Sequence, residues 1–416
     1  MKTILWVVFL CTPIARVWSQ EKTDGWLEEL LRSKASPLLK QILDLPDTFQ
    51  YQLIYTQINR NKHNRPHFKN YYLHLDKNRY FNPASTVKLP TALCALEKLQ
   101  DLHKPGLNRN TTMLTDSSYS GQLKVYTDSL AADGLPSIGQ YIREIFLISD
   151  NDAYNRLYEF IGQQLLNDKL HDKGYTGTRI TRRFMPMTEE ENRHTNSIRF
   201  VKGGELVYAQ PPAYNAGSFN FSKQHLVGNA HYDRNDSMVN TPMDFTTHNA
   251  LPLEDLQQLL QSVLFPASVP TKQRFLLSPD DYRFLYQYMS EMPRESKYPH
   301  YDTATYFDSY AKFFLFKAGK TPIPSYIRVF NKPGWSYGFL TDAAYIADFK
   351  NNIEFMISAC IYTNSDGILN DDKYDYDTIG YPFFKETGNL LYNYELSRPR
   401  RYKPDLSGFR MDYSDK

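Results

Sequence analysis

Apolar and polar positions alternate in recognisable periods along most of this chain. Residues 21–48 carry a helical pattern. Tyr51-Gln52-Leu53-Ile54-Tyr55 and Tyr71-Tyr72-Leu73-His74-Leu75 read as strands. The polar link between them is rich in Asn, Lys and Arg and predicts a hairpin. Leu89, Ala92, Leu93, Leu96 and Leu99 then recur at three and four residues, so a helix with one apolar face follows Asn82-Pro83-Ala84-Ser85. Pro83 suits the entry to that helix. The same period returns in Ile138, Tyr141, Ile142, Ile145 and Phe146, then through Leu157, Phe160 and Ile161, and again from Leu253 to Val263. Ser278-Pro279-Asp280-Asp281 starts another helix, with a hydroxyl cap, a proline and two acids near its positive end.

Towards the C-terminus the pattern changes to strands. Ile327-Arg328-Val329-Phe330 is one. Ala343 to Phe349 and Ile353 to Tyr362 read as a hairpin across Lys350-Asn351-Asn352, and a last helix covers roughly 377–395. The order of strands, helices, strands and helix predicts an α/β (α+β) fold. Its antiparallel sheet draws strands from both chain ends and packs against a helical lobe. Residues 170–240 are polar, aromatic and turn-rich with little periodicity, and read as a long, partly ordered insertion on one face. Long loops of this kind are often functional.

Composition narrows the class. Lys2, the apolar run Ile4 to Cys11 and Val17-Trp18-Ser19 form a secretory signal too short to span a membrane, and cleavage is preferred to anchoring. The expected product is exported, to a periplasmic or secreted location. Without Lys2 and Arg16, 46 basic residues face 46 acidic ones. Such balance argues against a nucleic-acid partner. Cys94 and Cys360 are the cysteines left after cleavage; they sit in apolar runs and read as buried free thiols, with one disulfide the alternative. The expected division is a signal at 1–20, a helical lead-in at 21–48, one catalytic domain at 49–396 that includes the insertion, and a tail at 397–416. A monomer is expected.

Three short motifs carry candidate chemistry. Ser85-Thr86-Val87-Lys88 places a hydroxyl and an amine three residues apart, on one face of a helix. A serine needs a base to become a nucleophile, and a lysine serves once burial or nearby positive charge lowers its pKa. Free N–H groups at a helix start can hold a developing oxyanion. Ser-x-x-Lys also occurs at Ser19-Gln20-Glu21-Lys22 and at Ser309-Tyr310-Ala311-Lys312, so alone it means little. Ser149-Asp150-Asn151 follows a helical stretch. It can present a hydroxyl and an amide, or simply cap a helix. Lys332-Pro333-Gly334-Trp335 follows the strand that ends in Phe330, where a lysine can attract a carboxylate and a glycine allows close approach. Lys317-Ala318-Gly319 competes for that role. There is no His-Glu-x-x-His, zinc-spaced Cys/His set, phosphate-binding glycine loop or Gly-x-Ser-x-Gly elbow, so no metal or cofactor is called for.

Together and in this order, Ser-x-x-Lys, Ser-Asp-Asn and Lys-x-Gly resemble the signature set of class A β-lactamases and penicillin-binding proteins. Phe81-Asn82-Pro83-Ala84-Ser85-Thr86-Val87-Lys88-Leu89-Pro90 is similar to the family's nucleophile segment. Thr241-Pro242-Met243-Asp244-Phe245 resembles the segment after its omega loop, and Lys332 to Phe349 its active-site strand and neighbour. The likeness covers about residues 45–395 apart from the insertion, which falls in the omega-loop region.

The resemblance implies a β-lactamase/transpeptidase-like fold and a serine hydrolase that cleaves β-lactam-type amides through an acyl-enzyme. Alternatives are a D,D-peptidase acting on cell-wall peptides, or a β-lactam sensor without turnover. It implies Ser85 as nucleophile, Lys88 as its base, Ser149 as proton shuttle with Lys332 beside it, and Asn151 as a contact for the substrate side chain. Gly334 lines the substrate path, and the N–H groups of Ser85 and Trp335 form the oxyanion hole. Two departures stand out. Pro333 replaces the family's threonine and removes a hydroxyl and an N–H. The omega-loop glutamate has only the run Glu189-Glu190-Glu191 as its counterpart, which reads equally as a deacylating base or as solvated surface.

Overall fold

The computed structural model describes residues 21–119 and 123–413. The signal-like segment 1–20 lies outside them. Five antiparallel strands form the central sheet, in the order Ile327–Ser336, Phe339–Asp348, Ile353–Tyr362, Gln52–Arg60, Pro66–Leu73. The first strand of the chain thus pairs with the last long one, with Gln52 opposite Cys360. This is the mixed α/β architecture expected from the sequence, with both chain ends in one antiparallel sheet.

The last long strand shows why its sequence is apolar at almost every position. Phe355, Ile357, Ala359 and Ile361 pack into a core with helices Gly25–Arg32, Pro37–Asp44 and Tyr381–Ser397. Met356 and Cys360, on the opposite face, join the larger core of the helical lobe. A strand covered on both faces has no solvent side on which to alternate. Glu354, paired with Arg60, and Ser358, between Met356 and Cys360, are the exceptions. Ser358 is neutral. Its hydroxyl bonds Gln257, whose Nε2 in turn donates to Thr56 Oγ1 at 2.8 Å. A buried hydroxyl is tolerable when it is paired in this way. Cys94 and Cys360 are buried free thiols.

The helical lobe contains Lys88–Leu102, Ile138–Leu147, Asn151–Ile161, Leu253–Leu264 and Pro279–Ser290. Ser278 caps the last of these in a reciprocal box with Asp281, so that start signal reads correctly from sequence. No helix among the described residues is long and apolar enough to cross a membrane.

The stretch 170–240 has more order than its pattern suggests. Ile198–Lys202 and Glu205–Gln210 form a hairpin, and Thr112–Thr115 adds a third strand to it. Ile198, Phe200 and Met113 anchor this small sheet in the main core. Short strands with two or three buried side chains leave a weak period, and the local signal of the hairpin is its two-residue Gly203-Gly204 turn, with φ 59° and 86°. Residues 398–413 fold back over the main sheet. The Phe409 ring lies 4.8–5.6 Å from those of Tyr345, Phe265, Tyr286 and Phe330, and Arg328 stacks 3.7 Å from the Tyr413 ring centroid.

Phe409→Ala should therefore lower the unfolding free energy by about 3–5 kcal/mol, the usual loss for a large aromatic in a core. Urea unfolding followed by circular dichroism measures it. A loss below about 1 kcal/mol would mean that the tail does not contribute to the core.

Candidate active site

The Ser85 segment is built as a tight turn against the edge strand of the sheet. Ala84–Val87 form a single 3-10 turn that runs directly into the helix Lys88–Leu102. Ala84, just before the serine, has φ 43°, a left-handed conformation that costs a non-glycine residue about 1–3 kcal/mol. Asn82 holds it there by accepting the Ala84 N–H at 2.9 Å, and Thr86 donates its N–H and hydroxyl to Pro83 O. The turn leaves Ser85 partly exposed while Lys88 is fully buried.

Ser149-Asp150-Asn151 performs two tasks at once. Asp150 caps the helix Asn151–Ile161 by accepting the Ala153 N–H at 2.9 Å. Ser149 sits just outside the helix with φ 66°. That second left-handed residue turns its carbonyl and hydroxyl towards the lysines. Lys88 Nζ donates to the Ser149 carbonyl and to Asn151 Oδ1 at 2.7 Å, and lies 3.4 Å from Ser149 Oγ. Lys332 Nζ reaches the same Ser149 Oγ from the edge strand at 2.8 Å and also donates to the Pro333 carbonyl at 2.8 Å. Three segments far apart in sequence thus meet around one hydroxyl. Among the described residues, no hydrogen bond reaches the Ser85 hydroxyl itself.

Gly334 explains the packing of turn on strand. A Cβ there would lie 2.7 Å from Pro83 O, 2.7 Å from Ser85 N and 2.9 Å from Thr86 N. All three are backbone atoms that cannot swing away. The glycine is required because the nucleophile turn rests directly on the strand. Trp335 follows it, half-buried, with its ring against Tyr310 and Phe313.

Electrostatics favour a neutral Lys88. Burial pushes its pKa well below the usual lysine value, the Lys332 charge pushes it further down, and Asp150 opposes both. Burial also brings Lys332 down to about 7, with Asp342 raising it and Lys312 lowering it. Behind Lys332, Asn331 Nδ2 donates to both carboxylate oxygens of Asp342 at 2.9 and 3.0 Å, while Lys312 Nζ donates to Asn331 Oδ1 at 2.9 Å. Asn331 and Asp342 were not legible as site residues, because their partners come from other segments.

The rival motifs separate clearly. Ser309 is fully buried and donates to the Gly319 carbonyl, so Ser309-x-x-Lys312 is a structural pair. Lys317 lies within 6 Å of the ring centroids of Phe307, Tyr310, Phe313, Trp335 and Tyr381, away from Ser149 and its lysines. Lys332 alone of the two Lys-x-Gly candidates joins the cluster.

A cavity of about 420 Å³ opens beside the cluster, with Asn82, Asn151 and Ser336 in its wall. Residues 182–186 form another wall. The Phe184 ring centroid is 5.0 Å from Lys88 Nζ, and the Phe184 N–H donates to Asn155 Oδ1 at 2.8 Å. Among the described residues, no Asp or Glu lines this cavity. The three glutamates proposed as bases occupy the short helix Glu189–Arg193: Glu191 closes a capping box with Thr188, Glu190 lies 3.3 Å from His194, and Glu189 lines a separate cavity. Their first-turn position on a capped helix explains the acidic run.

Residues 57–215, which include Ser85, Lys88, Ser149 and Asn151, match the family model described as the β-lactamase enzyme family. The match supports the β-lactamase and penicillin-binding reading of the sequence. No curated protein matches the chain. Among solved structures, the chain is similar to a β-lactamase from Xanthomonas campestris pv. campestris at 14% identity, covering 85% of this chain and 97% of that one, TM-score 0.47. It is similar to a class A β-lactamase from Clostridium kluyveri at 14% identity, with 85% and 97% covered, TM-score 0.46. A β-lactamase from Streptosporangium roseum gives 14% identity, 86% and 98% covered, TM-score 0.46.

Gly334→Ala should destabilise the chain by about 1–3 kcal/mol, since the added methyl meets rigid backbone. Denaturant unfolding measures this. An unchanged midpoint would show that the turn can lift from the strand at no cost.

Proposed function

We propose that this chain is an active-site serine enzyme of the β-lactamase and penicillin-binding kind, acylated at Ser85. The observation that carries the reading is the convergence of Lys88 and Lys332 on Ser149, 2.8 Å from the Lys332 amine, directly beside the Ser85 turn. Neutral Lys88 accepts the Ser85 proton as the hydroxyl oxygen bonds to the substrate carbonyl carbon. The carbonyl oxygen becomes an oxyanion between the N–H groups of Ser85 and Trp335. Ser149 gives its proton to the leaving nitrogen as the C–N bond breaks, and regains one from Lys88, whose Nζ lies 3.4 Å from Ser149 Oγ and which is thereby neutral again. The product is an ester on Ser85, and water must later cleave it to return the enzyme. Lys332, while charged, attracts the substrate carboxylate. The signal-like N-terminus supports action after export.

Deacylation is where the two readings diverge. The cavity wall offers a phenylalanine ring at Lys88 and no carboxylate to activate water. That favours a long-lived acyl-enzyme, hence penicillin-binding behaviour with slow release. Rapid β-lactam turnover is the second reading, favoured by the family match of residues 57–215.

Intact-protein mass spectrometry with benzylpenicillin decides between them. The expected result is a persistent adduct on the wild type and none on Ser85→Ala. Glu189→Gln, Glu190→Gln and Glu191→Gln should leave the adduct lifetime within about twofold, a change of about 0.4 kcal/mol. Fast return to the free mass, slowed by one of these changes, would establish a glutamate base and the lactamase reading.

The acylation rate constant should be bell-shaped in pH. It rises as Lys88 loses its proton, at a pH well below the usual lysine range. It falls as Lys332 loses its charge near pH 7 and the substrate carboxylate loses its partner. Lys332→Met should remove the alkaline limb along with most of the rate. Stopped-flow acylation across pH tests this, and a flat profile would sink the assignment of both lysines.

A further inference from the structure

We infer that the mouth of this site is built for an acyl donor carrying a carboxylate on its side chain, held by Arg182 and Arg234. The inference rests on the acylation of Ser85 proposed above and names the substrate class. Arg182, Arg183 and Arg234 line the cavity that Asn151 and Ser336 share, and no acid lines it with them. A second cavity, of about 280 Å³, is walled by the same Arg182 and Arg234 together with Arg193. Glu189 is the one carboxylate in that second wall. The two cavities share Arg182, Arg234 and His248 in their walls.

These arginines are not equally free. Arg183 is buried and spent: its guanidinium lies 3.4 Å from Glu159 and donates to the backbone carbonyls of Glu191 and His194. Arg193 donates to the carbonyls of Asn215 and Gly217. Among the described residues, the side chains of Arg182 and Arg234 make no hydrogen bond and no ion pair within 4 Å; Arg234 feels the Glu191 carboxylate at longer range, and Glu191 is itself held mainly by Thr188. His248, in the wall of both cavities, adds no charge, since burial and then Arg182 bring its pKa down to about 3.

The backbone under Arg182 is fixed in advance. Asn249 Oδ1 accepts the N–H groups of Thr181 and Arg182 at 2.8 and 3.0 Å, Asn192 Oδ1 that of Arg183, and Asn155 Oδ1 that of Phe184. All three asparagines are buried. An unpaired guanidinium on a rigid segment, with a second one across the cavity, is a ready fork for a planar carboxylate. Its place fixes which end of the substrate carries the acid. Asn151 lines the same cavity and is the contact proposed for the substrate side chain, whereas Lys332 serves the carboxylate next to the scissile bond. The preferred donor is therefore a diacid.

Benzylpenicillin and carbenicillin differ by one carboxylate on the side chain, and ampicillin carries an amine at the same carbon. Titration calorimetry on the Ser85→Ala protein measures their affinities without acylation. Carbenicillin should bind at least about tenfold more tightly than benzylpenicillin, the gain of one charge-assisted contact, and ampicillin most weakly. The carbenicillin preference should fall towards unity with Arg182→Gln and with Arg234→Gln, and should weaken in high salt. Arg234 is exposed, so Arg234→Gln carries the test if Arg182→Gln misfolds. Equal affinities, or no binding of either penicillin to Ser85→Ala, would overturn the inference. The benzylpenicillin adduct on the wild type reports separately on acylation, so a normal adduct with equal affinities removes the arginine role alone.

Discussion

Two lysine amines held out of water around the Ser149 hydroxyl set the terms for everything near them. An ammonium group buried without a carboxylate partner is costly, so the group gives up its proton more easily. Here each amine is paired with neutral acceptors: a serine carbonyl and an asparagine oxygen for Lys88, a serine hydroxyl and a proline carbonyl for Lys332. The pairing keeps the hydrogen bonds satisfied without adding negative charge. Such an arrangement depresses lysine pKa values in a dry site, and it gives an amine base and a weakly held cation side by side. The left-handed backbone at Ser149 follows from the same demand, since its carbonyl and hydroxyl are the groups that the two amines reach.

Much of the fold was legible because its helices and buried strands have strong periods. The helix after Ser85, the helix from Pro279 and the last strand pair all fall close to where pattern and caps put them. The sheet of Thr112–Thr115 with Ile198–Lys202 and Glu205–Gln210 was missed. Its inward residues are few, Met113, Ile198 and Phe200, and the Gly203-Gly204 turn was the one local sign of the hairpin. The pairing of Thr112–Thr115 with a segment more than eighty residues away leaves no local trace.

The site was legible in its motifs and opaque in its surroundings. Ser85, Lys88, Ser149, Asn151 and Lys332 could be named because their spacing or order carries meaning. Nothing in the order of residues announces that Phe184 will lie over Lys88, or that Asn331 will tie Asp342 to Lys312 behind Lys332. The glutamate run drew attention by composition, yet its chemistry is spent at a helix start, where acids are favourable for their own sake. The arginines of the cavity were hidden for a similar reason. Arg182 and Arg183 are adjacent in sequence, but Arg183 pairs with Glu159 while the Arg182 side chain has no hydrogen bond or ion pair among the described residues.

The pairing of Gln52 with Cys360 has a consequence for how the protein comes into being. The sheet closes only when a strand from near the start meets one from near the end, which is a contact of very long sequence separation. Folding dominated by such contacts is slow. The edge strand that carries Lys332 and Gly334 joins the sheet through the same late-arriving strands. A chain cut short before residue 353 would keep the hairpin that carries Lys332 and Gly334 but lose the strand that joins it to Gln52–Arg60. The Ser149 cluster is therefore completed only when nearly the whole polypeptide is in hand.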